Sequence, residues 1–155
     1  TAKTVAGLFA LDMNQSILAM SWQLVSRFTW ELPQTALGFG LGILASEFGI
    51  VDNVDYERGA TILRYTVDIG GAFTIGSFIA GNNLYKTRGE MPYGVSGRPL
   101  LKHEYGHTLQ SRLFGPLYLL GIAIPSAINA ALFPNEHMKF FIEDDATKRS
   151  KNYGF

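Results

Sequence analysis

The five residues His103-Glu104-Tyr105-Gly106-His107 constrain this chain more than any other stretch. On a helix, two imidazoles four positions apart share one face about one turn from each other, whereas a strand would hold them roughly 13 Å apart. The segment from Pro99 or Leu100 to Phe114 reads as such a helix, stopped by Gly115-Pro116. Two imidazoles at that spacing can grip one zinc ion. The glutamate between them, Glu104, is then placed as a general base that takes a proton from a water at the metal. Gly106 leaves room for another backbone beside the ligands, and Leu101 and Leu109 supply an apolar face behind them.

A catalytic zinc takes three protein ligands and keeps one position open. The chain has no cysteine, and its histidines are His103, His107 and His137. The downstream candidates for the third ligand are Glu136, His137, Glu143, Asp144 and Asp145. Glu143 is preferred, because it sits on a predicted helix and is followed by Ala146 and Thr147. Small residues one turn after a ligand let two site helices approach and support the ligand shell. His137 is then free to donate a hydrogen bond to the oxyanion of a tetrahedral intermediate, or it stands on the surface at the start of the last helix. Tyr105, Tyr118 and Tyr153 offer the same donor chemistry, and the sequence does not rank them.

The 155 residues read as a single domain. Thirteen basic and thirteen acidic residues cancel, and no basic stripe appears, so no nucleic-acid partner is expected. Residues 13 to 31 read as an amphipathic helix, with Ile17, Met20, Leu24, Phe28 and Leu32 recurring at three to four positions and Asp12 or Asn14 as cap. A second helix is expected from Pro33 to Phe48. Residues 60–67 and 72–79 are rich in β-branched and aromatic residues around a turn-like 68–71, which reads as a β-hairpin with an edge able to pair with an extended peptide. Residues 81 to 99 read as a loop, and a last helix starts near His137 or Met138 and includes Glu143 and Ala146. The expected fold is therefore α+β: a mostly helical, zincin-like domain with one β-hairpin and a His-Glu-x-x-His helix.

Leu113 to Phe133 carries no charge, and its length suits a membrane span. Gly115, Pro116, Gly121, Pro125 and Asn129 argue against one straight helix. The expectation is a buried pair of short helices, with membrane contact through 113–133 as the alternative.

The stretch His103-Glu104-Tyr105-Gly106-His107-Thr108-Leu109-Gln110-Ser111, followed by Gly115-Pro116-Leu117-Tyr118 and Ile124-Pro125-Ser126, resembles the C-terminal domains of Rhs-type polymorphic toxins from Bacteroidetes. Thr29-Trp30-Glu31-Leu32-Pro33-Gln34-Thr35 and the tail Phe140-Phe141-Ile142-Glu143-Asp144-Asp145-Ala146 are similar too. Thr147 stands where the family pattern tends to have Asn or Asp. The resemblance implies an antibacterial effector domain at the end of a larger secreted protein. It would be delivered to a competing bacterium by a type VI secretion system, to act in the periplasm or at the membrane and not in the cytoplasm. A cognate immunity protein would neutralise it. The chain's start at Thr1 fits the expectation of a C-terminal fragment. Two functions follow as expectations: a zinc metallopeptidase acting on a peptide or protein substrate, or a membrane-active toxin in which zinc is structural or vestigial.

Overall fold

Arg58 and Gly59 both take positive φ, 51° and 81°. That is the backbone of a tight two-residue turn, whose twist matches that of paired strands. It joins β1 (Val51–Glu57) to β2 (Ala60–Tyr65) in antiparallel register, in the computed structural model that describes residues 1–85 and 99–154. Gly76, at φ 64°, opens a second such turn with Ser77, between β3 (Ala72–Ile75) and β4 (Phe78–Gly81). β4 returns beside β2 in parallel, so the four-stranded sheet runs β1-β2-β4-β3. Burial explains this order. β4 is buried throughout and β2 over its first four residues, so both belong in the centre, whereas β1 and β3 are partly exposed and take the edges.

The α+β expectation holds, with two corrections to its sheet. The hairpin expected across 60–67 and 72–79 does not form, because Gly76-Ser77 splits the second segment into two strands and residues 66–71 carry the chain across to the far edge. Val51–Glu57 is a strand that the pattern reading missed, since Asp52, Asp55 and Glu57 interrupt its apolar character. Charges on an edge strand also discourage pairing with other chains. The loop expected over residues 81 to 99 lies, from 86 to 98, outside the described residues.

The helices are α1 (Ala2–Ala6), α2 (Ile17–Phe28), α3 (Leu32–Glu47), α4 (Pro99–Phe114), α5 (Ile124–Leu132) and α6 (Phe141–Asn152). Short 3-10 turns cover Gly7–Phe9, Gly115–Leu117 and His137–Lys139, and a π-helical turn covers Leu119–Ala123. α2 starts later than expected because Ser16, and not Asp12 or Asn14, caps it, accepting from the Ala19 amide at 3.3 Å. The last helix likewise begins at Phe141, after the 3-10 turn.

The start of α3 is bolted to α4 and to the sheet. Glu31 accepts from Ser26 Oγ and Ser111 Oγ, both at 2.6 Å, and Gln34 Nε2 donates to the Gly115 carbonyl at 2.8 Å. Gly38 lets α3 approach the β3–β4 turn, since a Cβ there would stand 2.4 Å from the Ile75 carbonyl oxygen. The buried Arg27 guanidinium donates to the carbonyls of Leu8, Ala10 and Gly59, tying the N-terminal segment and α2 to the β1–β2 turn.

Three helices pack the reverse of what their periodicity suggests. α2 buries Gln23, Ser26 and Arg27 and exposes Ile17 and Leu18. α3 buries Gln34, Thr35, Gly38, Gly42 and Ala45 and exposes Leu37, Leu41 and Leu44. α5 buries none of its residues fully, and Ile124, Ile128 and Leu132 point outward. The pair of short helices expected over 113–133 is present, but its large side chains are not buried. Tyr118 and Ile122 are the exceptions and pack on Ile142 of α6.

Candidate metal centre

α4 is the central helix, and it buries polar side chains around most of its circumference: His103, Glu104, His107, Thr108, Gln110 and Ser111. Buried polar groups are tolerated only when they are bonded, and each of these is.

His103 Nε2 and His107 Nε2 converge on one atom, Oε2 of Glu143, at 2.9 and 3.0 Å. The three potential ligand atoms lie within 4.8 Å of one another, and this trio could hold a metal ion. Glu143 sits in the first turn of α6, where the positive end of the helix favours a carboxylate. Its side chain reaches α4 because the two helices touch backbone to side at Gly106. A Cβ on Gly106 would stand 1.9 Å from the Ala146 carbonyl oxygen, and Ala146 is itself fully buried. The small residues Gly106 and Ala146 thus set the spacing that the ligands need, as expected from the sequence.

The other ring nitrogens are also held. His103 Nδ1 meets Thr147 Oγ1 at 3.0 Å, and His107 Nδ1 meets Gln110 Oε1 at 2.7 Å. Gln110 cannot be turned over, because its Nε2 donates to two acceptors, the Ile142 carbonyl at 2.9 Å and Asp145 Oδ2 at 2.8 Å. Gln110 Oε1 must therefore accept, so His107 Nδ1 carries the proton. In the neutral ring, His107 Nε2 then offers a lone pair to a carboxylate oxygen 3.0 Å away. Two lone pairs repel at that distance, so a cation belongs between them, either a proton on the ring or a metal ion. Among the described residues no donor stands within hydrogen-bond distance of the buried Glu143 Oε1, which leaves an acceptor at the same spot.

The electrostatics agree. Burial alone would raise the Glu143 pKa, but hydrogen bonds from His103 and His107 outweigh it and hold the carboxyl well below its usual range. Burial also opposes a charge on His107, yet its bond to Glu143 and the nearby Glu104 carboxylate raise its pKa.

Glu104 lies beside the trio, and Thr74 of β3 holds it: Thr74 Oγ1 donates to Glu104 Oε2 at 2.7 Å. The trio and Glu104 stand in the wall of a cleft of about 740 Å³ that runs between β3 and α5. Ala123, Ala127 and Ala130 of the α5 side and Ile69, Phe73 and Leu37 opposite make the cleft apolar away from the His and Glu side chains. Tyr118 also lines it, and its hydroxyl donates to the Thr74 carbonyl at 2.9 Å. Burial, followed by the carboxylates of Glu104 and Glu143, pushes the Tyr118 phenol far up, so it stays a proton donor.

The remaining sequence candidates separate clearly. His137 is in the cleft, its Nε2 3.7 Å from Glu143 Oε2 and its Nδ1 3.0 Å from Asn129 Oδ1, so it does not stand free on the surface. Tyr105 donates to the Arg58 carbonyl and packs against the Tyr153 ring at a tilt of 47°, away from the cleft residues. Asp144 pairs with Lys148, Glu136 with Lys139, and neither joins the trio. Gln110, Thr74 and Asn129 were not foreseen. Gln110 alone left a signal, because it lies three positions after His107 and so on the same helix face. The chain matches no family, no curated protein and no solved structure in comparisons of its sequence and fold.

Proposed function

We propose that this chain is a zinc-dependent peptidase. The observation that carries the reading is the convergence of His103, His107 and Glu143 on one point in a cleft wall, with Glu104 held beside them by Thr74. Zinc held by the two imidazoles and Glu143 would polarise the scissile carbonyl and acidify an adjacent water. Every other step falls to side chains of this chain. Glu104, bonded to Thr74 through Oε2, takes the proton of the attacking water on Oε1 and passes it to the leaving amine. His137, whose Nδ1–H donates to Asn129 Oδ1, is placed to donate from Nε2 to the developing oxyanion when that nitrogen carries a proton as well. Gln110 and Thr147 keep the ligand rings turned with Nε2 toward the metal.

An extended substrate fits along β3. The two-residue turn makes Ile75 and Phe78 a hydrogen-bonded pair, so the backbone groups of Ala72 and Thr74 face away from β4. The Thr74 carbonyl is taken by Tyr118, which leaves the two amides and the Ala72 carbonyl for a peptide. The role as a secreted antibacterial effector with an immunity protein as partner rests on the sequence resemblance alone.

The test is the zinc content of the purified chain by elemental mass spectrometry, with His103→Ala alongside. One zinc per chain, lost in the variant, supports the reading. No zinc uptake from added metal would end it. The effector role is tested separately, by expression in the periplasm of a susceptible bacterium: toxicity that survives Glu104→Ala would refute peptidase action as its cause.

A further inference from the structure

Between Thr4 and Ser46 the charged residues are Asp12, Arg27 and Glu31, and all three are buried. Leu113 to Asn135 has no charged residue. The helical surfaces of α2, α3 and 115–132 therefore present one charge to the outside, Glu47 in the last turn of α3, although charged residues make up 17% of the chain. The exposed charges stand elsewhere, as at Asp52 and Arg64 of β1 and β2 and at Asp144, Lys148 and Lys151 of α6.

What the three helices expose instead is large and apolar: Leu18 83%, Leu120 71%, Leu132 65% and Leu44 54%. What α2 and α3 turn inward is small or polar, as at Gln23 and Ser26 of α2 and Gly38, Gly42 and Ala45 of α3. Small residues inside and large apolar residues outside is the arrangement of helices that face hydrocarbon, where side chains gain nothing by avoiding the solvent. The surfaces join. Trp22 of α2 and Leu113 line one depression, bordered by Arg112 and Arg149, Trp30 packs on Gly115, and Leu37 of α3 and Ile124 of α5 line the same cleft. Soluble monomers rarely expose apolar patches of more than a few hundred Å².

We propose that this side of the molecule docks into one leaflet of a lipid bilayer. A protein partner would leave a polar rim with charges to match, and among the described residues these helices carry one exposed charge, Glu47 at the far end of α3. Hydrocarbon asks for such a lack of charge. The α3 helix, with 16 residues, is about 24 Å long, short of the roughly 30 Å of a hydrocarbon core, and among the described residues no single helix is long and apolar enough to cross. The bent pair Pro99–Leu117 and Leu119–Leu132 is apolar enough when taken together, but its first helix buries its polar side chains inside the protein, so the proposed contact is peripheral. Because Leu37 and Ile124 belong both to this side and to the cleft, docking holds the cleft at the bilayer surface. If the peptidase reading holds, its substrates are then peptide segments at or emerging from a membrane. The docking itself needs no metal.

The test floats the purified chain with vesicles of phosphatidylcholine, at low and high salt. Wild type and Glu104→Gln are expected to float equally, with no loss at high salt, because no charge mediates the contact. Leu120→Lys/Ile128→Lys/Leu132→Lys, all at exposed positions, should cut the bound fraction more than about tenfold. Lys151→Glu, on the charged side, should leave it unchanged. Circular dichroism melts confirm that the variants fold; should the triple variant fail to, Leu18→Lys/Leu44→Lys replaces it. A wild type that stays with the unbound fraction overturns the proposal. So does binding that high salt abolishes, or a triple variant that floats as well as wild type. A wild-type dimer that the triple variant dissolves, without vesicle binding, would assign the face to a second copy of the chain instead.

Discussion

The helical stretches Pro99–Leu117 and Leu119–Leu132 follow each other directly, bent by 119°, and they handle polarity in opposite ways. The first buries histidines, a glutamate and a glutamine; the second exposes leucines and isoleucines. In α4 the buried polar groups satisfy one another: His107 bonds Gln110, Gln110 bonds Asp145, and Arg149 bonds Asp145 in turn at 2.6 Å. In α5 the cleft side is made of alanines, a serine and Ile124, and most of the bulk is left outside. Burial here follows from which groups find partners and which backbones must approach, and residue polarity is a poor guide to either.

Four tests would break or sharpen that contrast. The largest effect belongs to the α4 side: Glu104→Gln should lower the peptidase rate by about 10³-fold while zinc content stays unchanged. A fall in zinc content of the same size would make Glu104 a ligand-shell residue and not a base. Next, Gly106→Val should destabilise the fold by about 3 kcal/mol, read from denaturant midpoints, because its side chain would enter the Ala146 carbonyl. Gly40→Ala, where a Cβ would meet nothing within 4 Å, should instead stabilise by about 0.5–1 kcal/mol. Third, Gln110→Leu should weaken zinc binding by about 10–100-fold in chelator competition, since His107 would lose the acceptor that orients it. Unchanged affinity would mean that packing alone sets the ring. The smallest effect belongs to the α5 side: Leu120→Ser should shift stability in solution by less than about 0.5 kcal/mol. Ile122→Ser, at a buried position in the same turn, should cost about 3 kcal/mol. Similar costs for the two would show that the outer face is covered by protein.

How much of this was legible without coordinates depends on distance along the chain. The His-Glu-x-x-His helix was legible because its geometry closes within one turn. Glu143 was readable as an acid on a downstream helix followed by small residues, but only the tertiary structure brings it, and not Asp144 or Asp145, to His103 and His107: Asp144 pairs with Lys148, and Asp145 meets α4 at Gln110. The Trp30–Gln34 stretch stood out in the sequence without revealing its role, which is to fasten α3 to Ser111 and Gly115, about 80 residues away.

The sequence by itself determined an α+β chain with a His-Glu-x-x-His helix, two further long helices and an uncharged stretch after it. Only the tertiary structure decided that β2 and β4 run parallel, that Thr74 of an edge strand holds Glu104, and that Gln110 locks the His107 tautomer, because each joins residues that no local rule relates. It also decided which way α2, α3 and α5 face. Periodicity shows that a helix has two unlike faces; which of them turns inward depends on what that face packs against, and a one-dimensional pattern does not contain that.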